Sequence, residues 1–188
     1  MSNILVNKKK IHSFKKIIRV SGDKSLSIRW LLFASLASGI SKASNLLISE
    51  DVLAAIQAIR KLGIKVILKK NECKVFGKGL DGYTYKQNII INAKNSGTLA
   101  RLLPGLLINS THKIKIIGDK SLSKRDFKRI ADPLRKFGAN LKLKNKNKLP
   151  MTITGLKNPQ PIKYFETKGS AQCKSSVILA ALRAEGYS

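Results

Sequence analysis

The sequence predicts an α/β fold of the α+β type, assembled from repeated β-α-β-α-β-β units. Three observations predict it. A helical pattern that ends in Arg-Lys-apolar-Gly and runs into an alternating strand occurs twice, in SEDVLAAIQAIRKLGIKVIL (Ser49 to Leu68) and SLSKRDFKRIADPLRKFGANLKL (Ser121 to Leu143). Its glycines, Gly63 and Gly138, lie 75 positions apart, each where a helix C-cap belongs. A second pattern, glycine with small polar residues and a cation ahead of an apolar helix, begins at Gly22, Gly97 and Gly169, with spacings of 75 and 72.

The elements follow in order. NILV (Asn3 to Val6) and KKIIRV (Lys15 to Val20) read as strands by their apolar, β-branched content. GDKSLSIRWLLFASLASG is an apolar helix behind a polar mouth, and the segment from Ser49 is amphipathic. IKVILKK, ECKVFG and NIIINA are strands, followed by the apolar helix of SGTLARLLPGLLINS. HKIKIIG is the next strand, the helix of Ser121 to Gly138 follows, and ANLKLKN and PMTITG form strands before the helix of GSAQCKSSVILAALRAEG. Two units are complete on this reading, and the third has its first helix when the sequence reaches Ser188.

Composition narrows the function. The 188 residues are 43% hydrophobic, enough for one domain with a core or two small ones. No run of eighteen apolar residues occurs, and the start lacks the h-region of a signal peptide, so a cytoplasmic protein without a membrane span is expected. Cys73 and Cys173 stand 100 positions apart, and His12 and His112 are isolated, so neither a metal site nor a Ser-His-Asp triad can be assembled. No Walker pattern is present, and no cofactor is expected. The net charge of +27 raises a basic nucleic-acid-binding module as an alternative. Against it, 29 of the 37 cations are lysine, scattered along the chain, and aromatics make up 6% with no stacking pattern. Most of this charge reads as solvated surface whose field attracts anionic substrates.

The helix mouths carry the chemistry. A helix N-terminus offers unpaired N–H groups and partial positive charge, and small residues admit an anion close to the backbone. The first mouth adds Lys24, Ser25, Ser27 and Arg29. The second has Asn95, Ser96, Gly97, Thr98 and Arg101, and the third Ser170, Gln172 and Lys174. Arg125, in GDKSLSKRD, is a fourth candidate, suited to bidentate phosphate binding. Each has a plainer reading: Ser25, Asn95 or Ser96 as ordinary N-caps, and Arg125 paired with Asp119 or Asp126 on the surface. Recurrence in three equivalent units favours mouths that converge on one small, multiply anionic ligand.

At these residues the sequence resembles the enolpyruvyl transferases. GDKSLSIR is similar to that family's G-[DS]-K-S-[IV]-S-x-R, and NSGTLARLL to N-[AS]-G-T-x-x-R-[PL]-L. GDKSLSKRDFKRIADPLRKFGA and GSAQCKSSVILAAL match two further motifs, in the family's order. The branch acting on UDP-N-acetylglucosamine usually has Lys-Asn where this chain has Lys24-Ser25, which favours the shikimate branch and leaves the nucleotide-sugar enzyme as the alternative.

The resemblance implies a two-lobed fold, each lobe of three units. Residues 1–20 would lead in from the other lobe, and 21–188 would form an incomplete first lobe, with units near 21–95, 96–168 and a truncated 169–188. It implies transfer of the enolpyruvyl group of phosphoenolpyruvate to the 5-hydroxyl of shikimate 3-phosphate, by a protein that is a monomer at full length, without metal or cofactor. Lys24 would be catalytic, between the two ligands. Ser25 and Arg29 would hold the shikimate ring and carboxylate; Ser170, and Ala171 through its backbone, would hold the 3-phosphate. Asn95, Gly97 and Arg125 would cradle the phosphoenolpyruvate phosphate, and Gln172 would lie close to both ligands. Gly97 would leave room for the inhibitor glyphosate. Ser21, Asp126 and Leu102 stand where the family usually has proline. The family's enzymes are more than twice as long, so the isolated 188 residues are expected to be an inactive N-terminal fragment.

Overall fold

The computed structural model describes residues 6, 13, 15–70, 72–167 and 169–188. Their order is α1 (Lys24–Leu36), β1 (Ser38–Ser44), α2 (Glu50–Lys61), β2 (Lys65–Leu68), β3 (Glu72–Lys78), β4 (Ile89–Asn92), α3 (Gly97–Leu106), β5 (Ile114–Ile117), a short 3-10 turn (Leu122–Lys124), α4 (Lys128–Lys136), β6 (Asn140–Lys144), β7 (Lys148–Thr154) and α5 (Ala171–Ala181). No described helix is long and apolar enough to cross a membrane.

Alternation builds the sheets. In the second half Ile91, Ile114, Ile116, Leu141, Met151 and Ile153 point inward, while Ile90, Lys115 and Lys142 face solvent. The strands run β4-β5-β7-β6, with β4 parallel to β5 and the other pairs antiparallel. The first sheet runs β1-β3-β2, all antiparallel, in the order of β5-β7-β6. One whole β-α-β-α-β-β unit therefore spans β4 to β7. Among the described residues the first unit repeats that order from its first helix onward.

Three expectations are corrected. KKIIRV carries no strand: Ile17, Ile18 and Val20 are exposed, and among the described residues no strand pairs with them. The apolar letters were right for a strand, but a strand needs a partner ladder. NILV lies outside the described residues apart from Val6. Conversely SGISKAS, with weak strand character, forms β1 because all seven residues pair with β3, from Ser38↔Lys78 to Ser44↔Glu72. The segment Ser121 to Phe127 is a 3-10 turn and loop, so α4 starts only at Lys128, whose N–H is held by Asp126 at 2.7 Å.

The helices form the shared core. α3 packs against both α1 and α5, and nine of its ten residues are buried. Two glycines allow close approaches in this core, one between α3 and α5 and one between β3 and the end of α1. At Gly105 a Cβ would lie 2.2 Å from the Ser176 carbonyl oxygen of α5, and at Gly77 it would lie 2.1 Å from the Ala37 carbonyl oxygen at the end of α1. The predicted C-caps hold, with φ of +84° at Gly63 and +98° at Gly138.

Tyr83, in the connection to the second unit, ties that loop to α1 through a 2.7 Å hydrogen bond with Ser35. Burial pushes its phenol up to about 12, partly offset by the Ser35 bond and the Arg183 charge. An unfolded tyrosine titrates near ~10. The raised folded value means that the stability Tyr83 contributes is complete below about pH 10 and is lost as pH rises toward 12. We expect about 2 kcal/mol of loss by about pH 11.5 that Tyr83→Phe does not share. Urea unfolding at about pH 9 and about pH 11.5 checks it, and equal losses in both proteins would sink the assignment.

Candidate functional site

At the first mouth the cap is Asp23, whose carboxylate accepts the Leu26 N–H at 2.7 Å. Ser25 is thereby left free, and its Oγ accepts from Arg29 Nη1 one turn later at 3.0 Å. Ser27 is spent structurally, donating to the Asp23 carbonyl and accepting the Leu47 N–H. Lys24 lies 3.1 Å from the Asp51 carboxylate on α2, with its side chain half-exposed.

The second mouth is denser. Ser96 caps α3 by accepting the Leu99 N–H at 3.3 Å. Asn95 donates from Nδ2 to Asp119 at 2.6 Å, and its Oδ1 faces Arg125 Nη2 at 3.4 Å. Asp119 also accepts the Leu122 N–H. The Asn95 bond, and then the Leu122 bond, hold the Asp119 carboxyl below the usual carboxylate range. It therefore stays ionised and fixes the Asn95 amide with its oxygen toward Arg125. Arg125 forms no ion pair with Asp119 or Asp126 among the described residues.

Gly97 sets the geometry between the cations. A Cβ on it would lie 2.8 Å from Arg125 Nη1 and 2.9 Å from Arg101 Nη1, so these two guanidinium nitrogens are less than 6 Å apart. At that separation two positive charges repel by about 3 kcal/mol near a protein surface. Arg101 is held there by its neighbours: its guanidinium lies 5.2 Å from the Phe127 ring and its Nη1 donates to Gln172 Oε1 at 2.9 Å. Burial, and then the Arg125 charge, lower its pKa. An anion at this point would relieve that repulsion.

The third mouth adjoins the second. Ser170 caps α5 by accepting the Cys173 N–H at 3.3 Å, and Ala171 is the first helical residue, whose N–H has no partner among the described residues. Gln172 joins the helices, receiving Arg101 and donating to Thr98 at 3.3 Å. A recess of about 300 Å³ opens among Arg101, Asp126, Arg129, Ser170, Gln172 and Cys173.

The structure thus brings Asn95, Gly97, Arg125, Ser170, Ala171 and Gln172 to one end of α3 and α5. Lys24, Ser25 and Arg29 sit at the start of α1, beside α3, but among the described residues no hydrogen bond or ion pair joins them to that cluster. Two cations carry more of the site than the sequence indicated. Arg101 was legible only as a member of its mouth, and Arg129 not at all; its place in the recess depends on the turn before α4.

Gly97→Ala is expected to leave the unfolding free energy within about 1 kcal/mol, because the new methyl meets only the flexible ends of two arginines. Pushing them apart should weaken inorganic phosphate binding about tenfold. Thermal unfolding and calorimetric titration of the variant test both halves.

A family model for EPSP synthase (3-phosphoshikimate 1-carboxyvinyltransferase) matches residues 8–188. The 3-phosphoshikimate 1-carboxyvinyltransferase of Streptococcus suis (strain 98HAH33) is 41% identical over 96% of this chain, and that of Bacillus cytotoxicus is 40% identical over 90%. These alignments span 42% and 40% of the two relatives, so the chain covers about two fifths of their length. A solved EPSP synthase from Acinetobacter baumannii superposes with a TM-score of 0.85 at 38% identity, over 90% of this chain and 38% of its own.

Proposed function

This chain belongs to the EPSP synthase (3-phosphoshikimate 1-carboxyvinyltransferase) family, and on that premise we propose that it carries the shikimate 3-phosphate side of an enolpyruvyl-transfer site. The observation that supports this most is the meeting of the α5 and α3 mouths: Ser170 and Ala171 open onto the recess lined by Arg101 and Arg129, and beside it Arg101 and Arg125, which form no ion pair among the described residues, converge on Gly97. The phosphoenolpyruvate phosphate is assigned to this cradle, with Asn95 fixing Arg125. The 3-phosphate of shikimate 3-phosphate is assigned to Ser170 Oγ and the Ala171 N–H, in the recess beside Arg129. Arg29, steadied by Ser25, takes the shikimate carboxylate and ring, and Lys24 reaches between the ligands by exchanging its Asp51 partner for phosphoenolpyruvate.

In the reaction a proton adds to C3 of phosphoenolpyruvate, and the 5-hydroxyl oxygen bonds to C2 as it gives up its proton. The tetrahedral adduct then expels phosphate and loses a proton from C3, leaving the enolpyruvyl ether. The cationic mouths favour the step by stabilising phosphate as charge builds on it during departure. Gln172, bonded to Arg101 and Thr98, keeps the two phosphate positions in fixed relation. A cytoplasmic monomer is the form in which we expect this chemistry, with turnover belonging to the longer form typical of the relatives and substrate binding already present in these residues.

Calorimetric titration with shikimate 3-phosphate at moderate salt tests the reading. Saturable binding that weakens at least about tenfold in Arg29→Ala is expected. Heat that vanishes with added salt and ignores Arg29→Ala would replace the reading with general polyanion attraction, the behaviour of a nucleic-acid-binding surface.

A further inference from the structure

The hairpin that joins β6 to β7 lies against the phosphate cradle without belonging to it. Ile116 pairs with Met151, so the end of β5, which leads on to Arg125, and the start of β7 share one end of the sheet. In the hairpin loop the Asn147 carbonyl accepts the Phe127 N–H at 2.8 Å, and the Phe127 ring carries the Arg101 guanidinium at 5.2 Å. One residue thus bridges the hairpin to the cradle.

The tip of this hairpin is strongly basic. Lys144, Lys146 and Lys148 are exposed, and none of them forms an ion pair among the described residues. Lys144 and Lys148 stand directly opposite each other in the ladder, where like charges repel. Lys146 sits between them with φ of +68°, in the left-handed region that favours glycine. Lys142 and Lys115, each opposite Thr152, continue the row along the outward face of the sheet. The sequence holds no acidic residue between Asp132 and Glu166 to offset this charge. Asp126, next to Phe127 in the turn, is engaged by the Lys128 N–H.

We propose that the hairpin tip is an electrostatic guide for the phosphate sites: Lys144, Lys146 and Lys148 draw multiply charged anions toward the cradle and its neighbouring recess without contacting them there. The inference rests on the cradle's binding phosphate, as assigned above. The arginines act at contact distance, whereas unpaired charge on the rim acts through its field and concentrates anions at the mouth. That attraction grows with the charge of the ligand, so the guide favours a phosphate dianion over a monoanion such as chloride.

The test is calorimetric titration of the full chain with inorganic phosphate in mildly alkaline buffer, beside two triple variants. The tip variant carries Lys144→Gln, Lys146→Gln and Lys148→Gln. The far-end variant carries Lys78→Gln, Lys113→Gln and Lys157→Gln, three exposed lysines at the other end of the two sheets, so that both lose the same charge. The tip variant is expected to bind about fivefold more weakly than the parent at about 10 mM ionic strength and within about 1.5-fold of it at about 0.5 M, where screening confines each charge to its neighbours. The far-end variant should stay within about twofold of the parent at both. Arginine at the three tip positions keeps the charge and should bind as the parent does. Equal weakening in the tip and far-end variants, a loss that persists at high salt, no loss at low salt, or a loss in the arginine variant would each overturn the proposal. A parent that binds no phosphate at either salt would remove the cradle reading and the guide together, a pattern distinct from all of these.

Discussion

Replacing Arg125 with alanine is expected to weaken inorganic phosphate binding by this chain about 100-fold while moving the unfolding free energy by no more than about 0.5 kcal/mol. The side chain is exposed, and its hydrogen bond to Asn95 is long at 3.4 Å, so the fold leans on it little. Its value lies in the charge it brings within 6 Å of Arg101, against a repulsion that only an anion relieves. Two charge-assisted bonds to phosphate amount to about 3 kcal/mol, which is the 100-fold expected. Arg125→Lys should recover part of the loss, since it restores the charge but not the fork. Calorimetric titration with inorganic phosphate across a salt series decides the matter: an alanine variant within about threefold of the parent would remove Arg125 from the cradle. Arg101→Ala is a poorer probe, because the same guanidinium stacks on Phe127 and holds Gln172, so stability and binding would fall together.

The second large effect is structural. Gly105→Ala is expected to destabilise the chain by about 3 kcal/mol, lowering Tm by roughly 10 °C for a chain of this size. The new Cβ would meet the Ser176 carbonyl oxygen at 2.2 Å and the Leu179 Cβ at 3.3 Å. Backbone cannot swing aside as an arginine tip can, so α3 and α5 must separate. Those helices carry the second and third mouths, and phosphate binding should weaken along with stability, unlike the Gly97 case. Urea unfolding gives the size; a change under about 1 kcal/mol would mean the two helices do not touch at this point.

Both glycines were visible in the sequence, but only one for its reason. Gly97 opened a recurring motif, whereas Gly105 was one more letter of an apolar helix, and its partner Ser176 is 71 residues away. The same division runs through the fold. Local signals sufficed for the C-caps at Gly63 and Gly138 and for the inward faces of β5, β6 and β7, because those depend on a few adjacent residues. β1 and the segment at Lys15 to Val20 went opposite ways for a non-local reason: strand formation is decided by the neighbour that supplies the ladder. In the site, residue types and mouths were legible, and so was the role of Ser96 as a cap. The pairing of Lys24 with Asp51, the Asp119 anchor behind Asn95, and the stacking of Arg101 on Phe127 were not, since each joins residues on separate elements.

The edges of the two sheets, as the described residues form them, govern how the molecule comes apart. In the second unit β4 covers the outer edge of β5, whereas among the described residues β1 stands at the margin of its sheet. Alternate amides of β1 therefore face water and should exchange with deuterium early, through fraying that leaves the rest folded. Amides of β5 and β7, paired on both sides and backed by Ile116, Met151 and Ile153, should be the last protected. The chain then opens from its first sheet inward, and the phosphate cradle, anchored on the second unit, outlasts the first mouth.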